Sequence, residues 1–345
     1  MTVEPFGTLL AGDHETICRS YEAMNRQPVD WDLSSEMPDP LASRQCTLAR
    51  RVAVTGSGTF FGRAQRTLTI EPTDREGWWF ERVDQANDLP TLVSVRNVWT
   101  TARNIVLRSG SPHNYMRMVE HIVALRLGMG IDNLVIKVDS GDPPLFDRGS
   151  IDLVEAIESG GVAEQPRPAV YVTVREPVSM TGPNGSFLIL VPCDPARPAL
   201  TFDCAVDFPN AIGSQRIRFN LTRARFRYGA LARTNTTAAM NLYCNTVGKL
   251  FADIRNLGYT HRNILVAGKR RYVNEPEPLL NHDGKSLEAV WHRAMLDLLA
   301  ALALIDQGRF LGQVVSYKAG HSLDVNLVRR LYQCDALCPV SRTSS

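Results

Sequence analysis

The stretch MVEHIVALRLGMGIDNLVIK, residues 118–137, decides how the rest of the chain is read. Met118, Val119, Ile122, Leu125 and Leu127 recur at helical spacing, which predicts a helix packed against a core. Gly128 and Gly130 stop it, and residues 134–138 then read as a buried strand. Glu120 and His121 lie side by side inside this apolar run. A carboxylate and an imidazole on the core side of a helix are costly to bury unless something satisfies them. A hydrogen-bonded buried pair, a helix edge facing solvent and a functional site are all open readings of that pair.

The chain has 345 residues, room for two domains of ordinary size. A composition of 44% hydrophobic and 21% charged residues fits a soluble globular protein. A net charge of +2 argues against nucleic acid as the main partner. Seven cysteines are dispersed and none forms CxxC, which suits a reducing cytoplasm. Glu4, Asp13, Glu15 and Arg19 interrupt the first residues, so no secretory signal is expected. The longest apolar run, 294–305, is broken by Asp297 and too short to span a bilayer. An apolar groove would still allow peripheral contact with a lipid substrate.

Residues 1–43 read as an extension, poorly ordered or draped on the surface, with a short helix around 15–24. A first α+β domain follows at 44–165. Its strands are expected at 47–54, 66–70, from Trp78, and at 91–98 and 103–107, with a helix at 151–159 stopped by Gly160 and Gly161. The proline-bearing stretch 163–168 marks a boundary. A second domain at 166–340 carries strands at 170–174, 186–191, 200–208 and 216–220, a mostly helical 232–255, and a small hairpin at 263–267 and 270–274. A long helix at 286–305 follows, with Ser286 as its N-cap, and then a closing strand at 310–317. Helices segregated from strands in each half argue for two similar α+β units rather than a doubly wound sheet.

Several polar residues do not belong in a core. Asp297 interrupts AMLDLLAALALI (294–305), His292 precedes it on the same helix, and His321 lies in SYKAGHSL (316–323). With Glu120 and His121 they supply nitrogen and oxygen ligands, a carboxylate base and a second acid, the inventory of a hydrolytic zinc site.

At this point the residues resemble a known family. The 118–138 stretch is similar to the signature region of the UDP-3-O-acyl-N-acetylglucosamine deacetylases, zinc amidases of lipid A synthesis. VTGSGTFFG (54–62) resembles the family's early Gly turn, with Phe60 where a His is usual. PPLFDRGSIDLVEAIESGG (143–161), with Arg148 inserted, DFPNAIGSQRIRF (207–219), LARTNT (231–236) and SYKAGHSL follow in the family's order. The resemblance implies two similar α/β sandwich units with the active site between them. It implies a cytoplasmic, monomeric zinc-dependent deacetylase acting on a UDP-linked acylated amino sugar. It makes Glu120 the general base, His121, His292 and Asp297 the zinc ligands, Thr234 an oxyanion donor and His321 the cationic acid. Arg293 and Lys318 would bind substrate.

The resemblance breaks at one place. The family's third ligand is a His four residues before the Asp, about 40° away around a helix. Here Arg293 holds that position, and His292 lies five residues before Asp297, about 140° away in a regular α-helix. Either one residue is inserted through a π-bulge, keeping His292 as ligand, or Arg293 replaces the ligand and pairs with Asp297, because a guanidinium cannot ligate zinc. Ala301 stands where the family has an Asp that orients the catalytic His, and Asn235 where it has an aromatic. A catalytically impaired or repurposed member, binding a nucleotide-sugar lipid or a protein partner, is the alternative reading.

Overall fold

The structure is a computed structural model that describes residues 6–58, 65–86, 89–246 and 260–340; of the Gly turn at 54–62, residues 59–62 with Phe60 lie outside these, and 54–58 belong to strand Val52–Gly58. Two mixed sheets dominate. The first has six strands in the order Pro144–Leu145, Val52–Gly58, Gln65–Pro72, Leu134–Val138, Trp78–Arg82, Thr91–Leu92. The second has seven, in the order Thr8–Ala11, Val178–Thr181, Phe187–Val191, Gly312–Tyr317, Leu200–Asp207, Ser214–Asn220, Trp31–Leu33.

The two sheets share one local topology. Leu134–Val138 runs antiparallel to Gln65–Pro72 and parallel to Trp78–Arg82. Gly312–Tyr317 runs antiparallel to Phe187–Val191 and parallel to Leu200–Asp207. In each sheet an antiparallel pair flanks that strand on either side. In each, a helical segment bearing polar residues precedes the central strand, directly in the first and with the two-residue strand Arg309–Phe310 between them in the second. This is the α+β arrangement of two similar units expected from the sequence.

Helices from both halves share the main core. Helix Glu120–Gly128 packs against the Leu299–Ala303 segment, and both contribute to one buried cluster. At the helix end, a Cβ on Gly128 would fall 2.2 Å from the Phe226 ring, so only glycine permits this approach. Arg126 reaches across to donate to Ala303 O at 2.6 Å and Ile305 O at 2.8 Å. It thereby satisfies carbonyls that a helix C-terminus leaves unpaired.

Several sequence expectations change. Residues 8–33, read as a poorly ordered extension, supply both edge strands of the seven-stranded sheet, while the short helix expected around 15–24 is present as His14–Arg26. The cause is the strand FLILV (187–191), apolar on both faces. Leu188 and Leu190 face the main core, while Phe187 and Ile189 need a second cover, which Ile17 and Met24 provide. Arg216 then fastens the segment, donating to Met24 O at 2.7 Å and Gln27 O at 3.1 Å while forking onto Asp203 at 2.8 Å. Strands of three and four residues carry too little alternation to be read.

The boundary expected at 163–168 falls within the strand Val162–Pro168, which pairs with Arg44–Leu48. Residues 232–255, expected to be mostly helical, open with a strand before their helix begins. Thr234–Thr237 is a strand, parallel to Ile264–Ala267, and Ala238–Asn245 a helix; residues 247–259 lie outside those described. Residues 91–98 break into a two-residue strand and a 3-10 turn at Val95–Asn97. The 286–305 helix begins at Glu288 with Leu287 at the N-cap position; Ser286 lies in a two-residue strand, its Oγ accepting from Glu288 N at 3.4 Å.

Removing Arg216 takes its fork from Asp203, 6% exposed, and leaves that carboxylate only the Arg218 Nε–H at 2.8 Å, while Met24 O and Gln27 O lose their donor. Arg216→Ala is expected to cost about 1.5–3 kcal/mol in urea unfolding, the value of hydrogen bonds to a charged group. A loss below about 1 kcal/mol, the value of a surface pair, would show that the N-terminal segment is held by something else.

Candidate functional site

Glu120 and His121 open their helix directly after a backbone kink. Met118 has φ 51°, a left-handed conformation that a bulky side chain adopts at a cost of about 1–3 kcal/mol. That kink turns the chain from the strand Tyr115–Met116 into the helix. Glu120 is 4% exposed, and its Oε2 accepts from Ile105 N at 3.0 Å. Burial raises its carboxyl pKa, and the nearby His321 imidazole only partly offsets that. His121 sends Nδ1 to Ser150 Oγ at 3.1 Å and Nε2 to Thr234 Oγ1 at 3.2 Å. Burial, with repulsion from His292, pushes its pKa down to about 3, so the ring is neutral at physiological pH.

The opposing helix changes its winding between the two residues that matter. Glu288–His292 is α-helical, Arg293–Leu298 is π-helical, and Leu299–Ala303 is α-helical again. A π turn bonds i to i+5, so residues five apart share a face. His292 Nδ1 accordingly lies 3.6 Å from Asp297 Oδ2. The His292 ring faces His121 with centroids 5.3 Å apart, and its Nε2 is 3.1 Å from the same Thr234 hydroxyl. Arg293 lies 3.9 Å from Asp297 but directs its fork at Asp324, one contact being 2.6 Å.

Thr234 arrives from the inserted two-stranded sheet. Its neighbour Arg233 forks onto Glu288 at 2.7 and 3.0 Å, and Glu288, fully buried, sits one turn before His292. The fork therefore fixes where the hydroxyl meets the rings. His321 is the first residue of helix His321–Gln333, with Nε2 3.5 Å from Asp297 Oδ1. Burial would lower its pKa, but the carboxylates of Asp297, Glu120 and Asp324 outweigh burial and raise it. Asp297 shifts the other way. Burial opposes ionisation, and the His292, His321 and Arg293 charges overcome it.

Glu120, His121, Thr234, His292, Asp297 and His321 thus line one cleft of about 190 Å³. An apolar compartment walled by Ile122, Pro143, Phe146 and Leu153 adjoins it at His121 and Thr234. Two expected substrate residues are placed elsewhere. Arg293 is 5% exposed and held by Asp324, because the π turn aims it into the core. Lys318, at φ 52°, lies with Nζ 3.6 Å from Asp207. The cleft instead carries Arg103 and Arg117, which sequence reading passed over. Only the proximity of Arg117 to Glu120 in the chain pointed to it. Ser150 and Asp324 were missed as well, although Asp324 stands one helical turn after His321.

His121, His292 and Asp297 are donors of the kinds that bind catalytic zinc. A neutral His121 has a lone pair to give, and Asp297 Oδ1 is buried without a hydrogen-bond partner. The donor chemistry fits a divalent cation. The spacing is that of a hydrogen-bonded set: among the described residues no three His, Cys, Asp or Glu side chains are gathered closely enough to grip one.

Because the folded state binds the Glu120 proton more tightly than the unfolded chain, ionisation of Glu120 costs stability above its ordinary value of 4.5. Glu120→Gln, which keeps an acceptor for Ile105 N, is expected to melt higher than the parent at pH 7–8 and to match it below pH 4.5. A Gln variant less stable than the parent at pH 8 would contradict the assigned shift.

The sequence model of the UDP-3-O-acyl N-acetylglycosamine deacetylases matches residues 45–333. The UDP-3-O-acyl-N-acetylglucosamine deacetylase of Bdellovibrio bacteriovorus is 30% identical over 292 residues, covering 84% of this chain and 89% of that protein. The proteins of the same name from Brucella ovis and Brucella melitensis are each 28% identical over 293 residues, covering 83% of this chain and 94% of theirs.

Proposed function

Since the chain belongs to the UDP-3-O-acyl N-acetylglycosamine deacetylase family, we propose that it is a zinc-dependent deacetylase that hydrolyses the N-acetyl group of UDP-3-O-acyl-N-acetylglucosamine in lipid A biosynthesis. The observation that carries this reading is the convergence of Glu120, His121, Thr234, His292, Asp297 and His321 on one cleft. His121, His292 and Asp297 would hold the zinc. When bound, zinc lowers the pKa of its water to about 7 and so supplies hydroxide at neutral pH.

The chain's own groups do the rest. Glu120, buried and with a raised pKa, is suited to take the proton of the attacking water. The Thr234 hydroxyl, held between the imidazoles, is the donor for the oxyanion that forms as the amide carbonyl is attacked. His321, whose pKa is raised, carries the proton that the leaving amine takes as the C–N bond breaks. Acetate and the free amino sugar result. Arg103 and Arg117, the latter held by Asp142 at 2.8 Å, line the cleft and are suited to the diphosphate of the UDP group, and the adjoining apolar compartment suits the acyl chain. Among the described residues no helix is long and apolar enough to cross a membrane. In this reading the protein works as a cytoplasmic monomer that meets its lipid substrate peripherally.

One observation favours a second reading. The Thr234 hydroxyl engages both Nε2 atoms, which suits a family member that binds a nucleotide-sugar lipid without turning it over.

Metal analysis with an acetate-release assay separates the two. The deacetylase reading expects about one zinc per chain after reconstitution, lost in His121→Ala. It expects Glu120→Ala to keep the metal and lose turnover. Absence of both zinc and acetate release would leave the binding reading. Arg103→Ala and Arg117→Ala are each expected to raise KM for the UDP-linked substrate about tenfold with kcat unchanged, the value of one charge-assisted hydrogen bond. Unchanged KM in both would remove the diphosphate from that side of the cleft.

A further inference from the structure

His321 lacks the contacts that would normally fix a reacting imidazole. It is the first residue of its helix, and Gly320 before it offers no side-chain cap. Its Nδ1 is buried with no hydrogen-bond partner, so nothing holds the ring from behind. Its Nε2 nevertheless sits 3.5 Å from Asp297 Oδ1. Something must hold the first turn of that helix against the π turn.

The buried link between them is the fork of Arg293 on Asp324. Asp324 lies three residues after His321, on the same face of the helix, and is 1% exposed. Both its oxygens accept from the Arg293 guanidinium, through Nη1 at 2.6 Å and through Nη2. Arg293 follows His292 directly and opens the π turn. The fork therefore joins the segment that positions His292 and Asp297 to the segment that positions His321. A second tie of the same turn, Ser322 Oγ to Thr101 O at 3.1 Å, is exposed and leads away to another loop.

We infer that Arg293 and Asp324 are a positioning pair that holds the His321 imidazole in register with Asp297. Stability alone is a poor reason for the pair. Buried ion pairs are commonly replaceable by apolar residues without loss, and Arg293 Nε is left without a partner. A bidentate fork does fix distance and plane together, which a packed apolar contact does not. Neither residue lines the cleft, so neither is catalytic. The inference rests on His321 serving the reaction proposed above.

The test replaces both charges at once, as Arg293→Met with Asp324→Leu, in full-length protein. Thermal unfolding, the ring resonances of 15N-labelled histidines (His321 assigned through His321→Gln), kcat and KM are measured. The double variant is expected to melt like the parent, to show shifted or broadened His321 signals, and to lose kcat by about 10–100-fold, the usual cost of losing such support, at unchanged KM. Parent-like His321 signals with parent-like kcat would overturn the inference and leave the pair as packing. If the double variant does not fold, Arg293→Lys decides, because it keeps the charge and loses the fork. Disturbed His321 signals then support the pair, and undisturbed ones refute it. If the parent shows no deacetylation, the functional reading falls while the histidine signals still decide the positioning.

Discussion

A helix that must present His292 and Asp297 on one face, five residues apart, cannot be a regular α-helix. The π turn at Arg293–Leu298 resolves that constraint, and much of the structure is arranged to hold it. Leu296 and Leu298 anchor the turn in the core. Three arginine links then tie the helix to the segments that carry Thr234, His321, and Glu120 with His121. Glu288 takes the fork of Arg233, beside Thr234. Arg293 takes Asp324, one turn beyond His321. Arg126, on the helix of Glu120 and His121, takes the carbonyls of Ala303 and Ile305. A π turn would relax to α-winding if free; here its ends are pinned by partners with fixed positions.

The same crowding sorts the charges. Three imidazoles and two carboxylates share one small cleft, and the proton affinities of His121, His321, Glu120 and Asp297 are driven apart. Burial leaves His121 neutral, with a lone pair available, while carboxylates around His321 keep it a better holder of protons than an ordinary histidine. Asp297 stays ionised among cations, whereas Glu120, with little but a backbone N–H at its oxygens, is drawn toward the neutral form. Such divergence between like groups is how one site obtains an acid and a base at the same pH.

The sequence disclosed the centre of the molecule better than its margins. The 118–138 stretch has both strong periodicity and a long apolar run, so helix, stop and strand could all be read from it. The strand FLILV and the closing strand were visible for the same reason. The edge strands at 8–11 and 31–33 were not, because their partners are 169 to 186 residues away in the chain and pairing, not local pattern, makes them strands. In the site, Glu120, His121, Thr234, Asp297 and His321 could be named from motifs. Whether His292 joined them depended on backbone winding, which residue identity does not encode locally. Arg293 looked like a substrate ligand because its true partner, Asp324, is brought to it only by tertiary packing.

The central claim is that the π turn makes His292 and Asp297 partners of His121 in one metal site. A crystal structure grown with zinc, recorded at the zinc absorption edge, tests it most directly. The account predicts a single strong anomalous peak about 2.0–2.2 Å from one nitrogen each of His121 and His292 and from an Asp297 oxygen, with residues 293–298 still π-wound. A peak that excludes His292, no peak at the cleft, or a regular α-helix through Asp297 would contradict it.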